Sequence, residues 1–320
     1  MLGPFVHRID PIIGEICGVY LWWYGLSFTL GFLGLHLWFR RTRTRLGLSM
    51  AEVYDISLAL SIGVLLGGRL VEVVFYEWTY YRDHLWHVGA VWLGGMSTHG
   101  LLLGGILGTL FFCWWREKRF LPIMDELVVP GAWVMATGRI GNFIDGQISG
   151  AETNVWWAVQ FPDLEGFSHP VVLYDGVKNL LLIPFLLLIR KRRPPQGVVF
   201  AHFLFWYAFS RLFVDIFREY RVESWGLGTG QAINLVMSIT GLVLLFWFHR
   251  KGLKRASEVI TSPHGAVAVP TQLWPRRILL LLILLLCPII CSDWTQDIPA
   301  RYGKRHPGLN YSILYPKVPN

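Results

Sequence analysis

The sequence predicts an all-α polytopic membrane protein: a seven-span helical bundle with a small outer cap and an eighth, C-terminal apolar segment. Three observations carry that prediction. Hydrophobic residues make up 53% of the 320 residues and charged ones only 16%, with mean hydropathy +0.44. The apolar residues gather in runs long enough to cross a hydrocarbon core, at about 1.5 Å per helical residue. Basic residues fall in short blocks between those runs, and sixteen Trp and twelve Tyr suit two membrane–water interfaces. The net charge of +8 therefore reads as a positive-inside signal, and nucleic-acid binding is not expected. The four cysteines, Cys17, Cys113, Cys287 and Cys291, show no metal-type spacing with histidine, so neither a metal nor a cofactor is expected. No cleavable signal peptide is expected, because the first apolar run is long and its basic block follows it.

Met1 to Glu15 is a short polar lead. Cys17 to Phe39 is the first span, ended by Arg40, Arg41, Arg43 and Arg45. The positive-inside rule puts that block in the cytoplasm and the N-terminus outside. Asp55 to Tyr76 is the second span, running outward, and holds Gly67-Gly68-Arg69 and Glu72. Arg69 and Glu72 are three apart, which admits two readings, a membrane ion pair and a ligand contact. Glu77 to His87, rich in Trp, Tyr and His, reads as an outer interface belt. Val91 to Trp115 is the third span, returning to Arg116, Lys118 and Arg119. Its first part, Gly94-Gly95-Met96-Ser97-Thr98-His99-Gly100, holds too much glycine for a regular helix and suggests an unwound piece lining a cavity. Gly100, Gly104 and Gly108 give a close-packing face for another helix. His99 reads either as a hydrogen-bonded packing residue or as a functional group, and its glycine surroundings favour function.

Leu121 to Ile144 is the fourth span, with Asp125 and Glu126 at its start, where carboxylates suit a helix N-terminus. At its far end, the stretch from Gly138 to Gly150 brings together an arginine, an amide, a carboxylate and four glycines. Arg139 and Asn142 share one helical face. Arg139 alone would equally suit an arginine snorkelling to the interface; the cluster points to a polar cavity with an anionic partner. Gln147 to Ser168 is polar and turn-rich and reads as an outer loop or small cap. His169-Pro170 opens the fifth span, which ends on Arg190, Lys191, Arg192 and Arg193, with Pro170 expected in the first turn. Gly197 to Phe217 is the sixth, ending on Arg218-Glu219-Tyr220-Arg221. Arginine at an outward helix end runs against the positive-inside rule, and it does so here for the second time. Thr229 to Phe248 is the seventh, ending at His249, Arg250, Lys251, Lys254 and Arg255. Residues 1–255 thus form the membrane domain, 256–275 a polar linker, and 276–320 an extra apolar run with an outer tail.

With these motifs in order, the chain resembles the bacterial prolipoprotein diacylglyceryl transferase family over roughly Tyr20 to Arg255. The stretch Gly138-Arg139-Ile140-Gly141-Asn142-Phe143-Ile144 through Gly150 is similar to the family signature. Trp23-Tyr24-Gly25, the glycine-histidine segment at Gly94 to Gly100, His169-Pro170 with Leu173-Tyr174, and Phe217-Arg218-Glu219 complete the set. The departures are Asp145 where Asn is usual, Gln147 where Glu is usual, Val171-Val172 and Asp175 in the His-Pro motif, and Asp215 in place of a Glu. The apolar run Ile278 to Ile290 lies outside the resemblance. Arg276-Arg277, that run and Cys291 also resemble a lipoprotein signal placed internally, but Pro288-Ile289-Ile290 lacks the small residue usual before the cysteine, so an eighth crossing is preferred.

The resemblance implies transfer of a diacylglyceryl group from phosphatidylglycerol to the lipobox cysteine thiol of prolipoproteins. The setting would be the bacterial inner membrane, and the implied partners are phosphatidylglycerol, prolipoprotein signal peptides and membrane lipids. Implied catalytic residues are His99, Arg139, Arg218 and Tyr24. Implied phospholipid-binding residues are Arg139, Asn142, Asp145, Gly150 and Arg69. Arginine forks suit a phosphate diester whose leaving oxygen gains charge. His99 has the pKa range of a base for a thiol, which reacts as thiolate. Tyr24 and Asn142 suit head-group oxygens, and Gly150 a close approach. The small-residue face at Gly100, Gly104 and Gly108 would admit the acyl chains. A second reading is a lipid-binding paralogue that lost turnover with Gln147. Haem binding and transport are disfavoured, because His36, His99 and His202 form no clear pairing and no internal repeat is found.

Overall fold

The computed structural model describes residues 4–162, 164–218, 228–255, 272–292 and 297–318. Most of the expected linker and the Glu219 to Arg221 part of the sixth motif lie outside the described residues. The long helices are α1 (Trp23–Thr42), α2 (Met50–Val71, continued by a π-helical turn, Glu72–Tyr76), α4 (Thr98–Trp115), α5 (Phe120–Ile144), α6 (Val171–Lys191), α7 (Val198–Asp215), α8 (Thr229–Arg255) and α9 (Trp274–Leu286). Two short helices, α3 (Trp78–Tyr81) and α10 (Ile298–Tyr302), and four strands, β1 (Phe5–Val6), β2 (Ile12–Ile16), β3 (Val19–Trp22) and β4 (Val159–Gln160), complete the described residues together with short 3-10 turns. Six helices among the described residues are long and apolar enough to cross a membrane: Met50–Tyr76, Thr98–Trp115, Phe120–Ile144, Val171–Lys191, Val198–Asp215 and Gly230–Gly252. Leucines such as Leu66, Leu181 and Leu285 point outward, as a lipid-facing surface requires. α1 is 20 residues long, carries Arg40 and Arg41 in its last turn, and packs lengthwise on α5.

Two expected spans start later than the hydropathy indicates. The first was expected from Cys17, but Cys17 (φ 52°) and Gly18 (φ 80°) make the turn of the β2–β3 hairpin, and the helix begins at Trp23. The third was expected from Val91, with an unwound start. Gly94 and Gly95 have φ of 85° and 83°, outside the helical region, and α4 begins only at Thr98, where the Ser97 hydroxyl accepts the Gly100 N–H.

The basic blocks share one end of the bundle, held by carboxylates. Ser49 and Glu52 form a reciprocal capping box at the start of α2. Glu126 pairs with Arg190 at 2.8 Å and Arg45 at 3.5 Å, while Asp55 holds both Arg116 and, at 2.7 Å, Arg276. Asp125 was expected to favour its own helix start. It instead accepts the Gly197 and Phe200 N–H groups at 2.6 and 2.8 Å, capping α7 across the bundle. Pro170 is the N-cap of α6, one position earlier than expected.

The expected small-residue face on α4 meets α2. A Cβ on Gly100 or Gly104 would strike the backbone of Gly67 or Gly63, and one on Gly108 that of Ala59. The two backbones are in contact along this seam. It is therefore closed, and the acyl-chain entry expected there is corrected.

At the opposite end lies the cap. β1 pairs in parallel with β4, and His7 Nε2 bonds the Phe143 carbonyl at 2.7 Å. Burial pushes the His7 imidazole pKa down, which keeps it neutral. The C-terminal segment joins this cap. α9 packs on α1 and α2; its 13 residues rise about 20 Å, from Arg276 on Asp55 at the basic end toward the cap. A Cβ on Gly25 would strike the Cys287 carbonyl and Pro288, so the chain leaving α9 crosses α1 there. Beyond it, Tyr302, Leu309 and Tyr315 share one core with Ile12, Tyr20, Trp22, Leu93 and Cys291. Tyr315 Oη accepts the Tyr20 N–H at 3.0 Å, and the Tyr20 hydroxyl donates to the Gly308 carbonyl at 2.8 Å.

Candidate functional site

The helix ends opposite the basic blocks line a cavity of about 950 Å³. Tyr24, His99, Arg139, Asn142 and Arg218 all line it, together with Arg211, Gln147, Glu72, Asn234, Ser292 and Arg301. Apolar side chains, Phe28, Phe75, Met96, Leu101 and Ile233 among them, form the rest of the wall. This mix of a few convergent polar groups in an apolar enclosure suits a ligand with a charged head and apolar chains. Gly141 of the signature stretch lies against the Tyr24 backbone, so the early aromatic motif and the signature meet where α1 crosses α5.

One carboxylate holds the cations in place. Asp175 on α6 is fully buried; it accepts from Arg139 Nε at 2.5 Å and forms ion pairs with Arg211 Nη1 at 2.5 Å and Lys178 Nζ at 2.8 Å. Arg211 Nε also meets Asp215 at 3.0 Å, one helical turn along α7. Lys178 Nζ sits 4.0 Å from the centre of the Tyr207 ring. Arg139 then gives Nη1 to Asn142 Oδ1 at 3.1 Å and Nη2 to Thr98 Oγ1 at 3.2 Å. A guanidinium has five N–H donors, and these three bonds leave two of Arg139's without a protein partner among the described residues. Those two N–H groups belong to Nη1 and Nη2, on a side chain that lines the cavity, an arrangement suited to forked recognition of a phosphate.

Three expected site residues lie elsewhere. Arg69, expected at a lipid phosphate, is buried behind the glycine segment. Its Nε bonds the Val88 carbonyl, Nη1 the carbonyls of Gly94 and Gly95, and Nη2 those of His87 and Ala90. All five donors are taken, so no fork remains for phosphate and the anticipated Arg69–Glu72 pair does not form. Glu72 lines the cavity instead. Gly150, expected at a ligand, is where three chain segments cross: its N–H bonds His169 O at 2.9 Å, and a Cβ would strike the Phe217 carbonyl and Val171. Asp145 is fully buried behind the lining residues and receives the Ser292 hydroxyl.

Sequence reading missed Arg211, Lys178 and the C-terminal residues. A signal for the first two was present. Lys178 stands three residues after Asp175 and Arg211 four before Asp215, each an ionisable pair inside an apolar span. Ser292 and Arg301 carried no local signal.

Fold and site together define a polytopic helical membrane protein with an arginine-walled polar cavity at one end of its bundle. A sequence model of the prolipoprotein diacylglyceryl transferase family matches residues 11–247. A phosphatidylglycerol–prolipoprotein diacylglyceryl transferase of Geobacter sulfurreducens is 36% identical over 257 residues, covering 77% of this chain and 98% of that relative. Proteins of the same name from Aliivibrio fischeri and Nitrosomonas europaea are 35% and 34% identical, covering 78% and 77% of this chain and 90% and 92% of those relatives. The chain belongs to the prolipoprotein diacylglyceryl transferase family.

The ion cluster gives a stability prediction. Asp175→Asn leaves Arg139, Arg211 and Lys178 buried around a neutral amide, and breaking a buried pair in this way costs about 3–5 kcal/mol. The expected result is a large drop in unfolding temperature of the detergent-purified protein. An unchanged melting curve would show that the cluster does not hold the site together.

Proposed function

We propose that this protein transfers a diacylglyceryl group from phosphatidylglycerol to the lipobox cysteine of prolipoproteins, the first step of lipoprotein maturation. The observation that carries the reading is Arg139, held by Asp175 with two N–H groups to spare, in one cavity with Tyr24, His99, Asn142 and Arg218. In the reaction, the cysteine sulfur attacks the glyceryl carbon that bears the phosphate ester. A C–S bond forms, the C–O bond breaks, and glycerol phosphate leaves with the bonding electrons. Arg139 and Arg218 take up the charge growing on the leaving phosphate. His99 accepts the thiol proton, since the thiolate is the nucleophile. Tyr24 and Asn142 orient head-group oxygens through hydrogen bonds.

The competing reading, an inactive lipid-binding relative, rested on Gln147. That side chain is engaged by Ser292 and Tyr302, so its amide has a place of its own in this cavity. The protein sits in the inner membrane with α1 as a seventh crossing. Its N-terminus and cavity face outward, and the Arg40, Arg116, Arg190 and Arg250 blocks face the cytoplasm. The prolipoprotein approaches through its signal peptide.

Two measurements test this. In a transfer assay with phosphatidylglycerol micelles and a lipobox peptide, Arg139→Lys keeps the charge but loses the fork, and the rate falls about 10²-fold or more. Native-like transfer by that variant would remove Arg139 from the mechanism. In intact cells, a cysteine placed between Arg40 and Arg45 stays unlabelled by an impermeant thiol reagent; labelling there reverses the orientation.

A further inference from the structure

The segment after residue 247 lies beyond the family match, yet it builds part of the cavity wall through Ser292 and Arg301. Ser292 is buried. Its hydroxyl bonds Asp145 Oδ2, and its oxygen lies 3.1 Å from Gln147 Oε1. The Gln147 amide bonds in turn to the Tyr302 hydroxyl. Asp145 is the C-cap of α5, the helix that carries Arg139 and Asn142, and its carbonyl accepts Arg305 Nη2 at 2.9 Å.

The chemistry of this chain is specific about its members. A hydroxyl has one proton to give. With Asp145 ionised, Ser292 donates to it, so Gln147 must present N–H to Ser292 and its oxygen to the Tyr302 hydroxyl. With Asp145 protonated, the chain runs the other way: Asp145 donates to Ser292, Ser292 to the Gln147 oxygen, and the Gln147 N–H to Tyr302. An amide serves both directions, because a half-turn exchanges its donor and acceptor ends. An ionised glutamate only accepts, so at position 147 it would complete the chain solely while Asp145 held a proton. Alanine at 292 would sever the chain at its centre.

We propose that Ser292 is a positioning residue of the reaction. It closes the hydrogen-bonded chain Tyr302–Gln147–Ser292–Asp145 and so holds the cavity end of α5, with Arg139 and Asn142, in working geometry. This rests on the transferase reading above. It makes the C-terminal segment part of the site, and it makes the Gln147 amide the matched partner of the Asp145 carboxyl group.

The test uses the full chain in detergent, with transfer rates measured against phosphatidylglycerol concentration and thermal unfolding run alongside. Ser292→Ala lowers kcat by about ten- to a hundred-fold, as expected for a small misplacement of reacting groups, with a much smaller change in KM. Ser292→Thr keeps the hydroxyl and recovers most of the rate. Gln147→Glu falls in parallel, and the double variant Gln147→Glu/Ser292→Ala falls little further, since both cut one chain. Should Ser292→Ala not fold, Gln147→Asn, one methylene shorter, withdraws the amide from Ser292 and lowers kcat in the same way. A native kcat in Ser292→Ala, or Ser292→Thr as impaired as Ala, overturns the proposal. A native chain with no transfer activity overturns the assigned function and this role together, whereas an active native chain insensitive to Ser292→Ala overturns this role alone.

Discussion

The buried carboxylate of Asp175 is the interaction on which the site depends. Three cations converge on it from three helices: Arg139 from α5, Lys178 from its own α6 and Arg211 from α7. In an apolar bundle none of these cations would be tolerated alone, and a single carboxylate makes all three possible. The geometry matters as much as the charge. Asp175 engages only Nε of Arg139, which leaves both terminal nitrogens to reach Asn142, Thr98 and the cavity. Part of the binding group is thus fixed before any ligand arrives, and fixing it beforehand lowers the entropy that binding must overcome.

A second arginine does the reverse task. Arg69 is as buried as the cluster, but every donor it has goes to backbone carbonyls between His87 and Gly95. Those carbonyls belong to short 3-10 turns and the glycine segment that follows them, where only some carbonyls, such as His87 and Ala90, also accept a backbone N–H. Arg69 donates to them, and so supports the bend that delivers His99 to the cavity at the start of α4. One arginine faces the cavity and the other satisfies the backbone that shapes it. The difference is set by what lies within reach, since both sit near glycines in apolar spans.

Much of this architecture is legible in the sequence. Hydropathy and the basic blocks give the bundle, and the glycine-rich signature gives the position of Arg139 and Asn142. The limits have physical causes. Cys17 to Trp22 is apolar and reads as membrane, but a left-handed turn at Cys17 and Gly18 makes it a hairpin. Gly150 looked like a ligand contact because glycine reports close approach without saying to what; the neighbour is the Phe217 carbonyl. Gly100, Gly104 and Gly108 correctly gave a helix-packing face, occupied by α2, and only the acyl-chain access also read there fails, because glycine contact leaves no gap for lipid. The contribution of the tail is not written locally at all. Ser292 meets Asp145 across 147 residues of chain, and no periodicity or motif links them. Only the fold shows that the two unusual residues of the signature, Asp145 and Gln147, have their partners in the C-terminal segment.

The central claim is that the Asp175-held Arg139 is the phosphate receptor of the cavity. An experimental structure of the full chain with bound phosphatidylglycerol tests it most directly. The account predicts the head-group phosphate within hydrogen-bonding distance, about 2.7–3.0 Å, of Arg139 Nη1 and Nη2, with the Arg139–Asp175 bond retained. A phosphate bound elsewhere, with Arg139 still facing an aqueous or empty cavity, would contradict it.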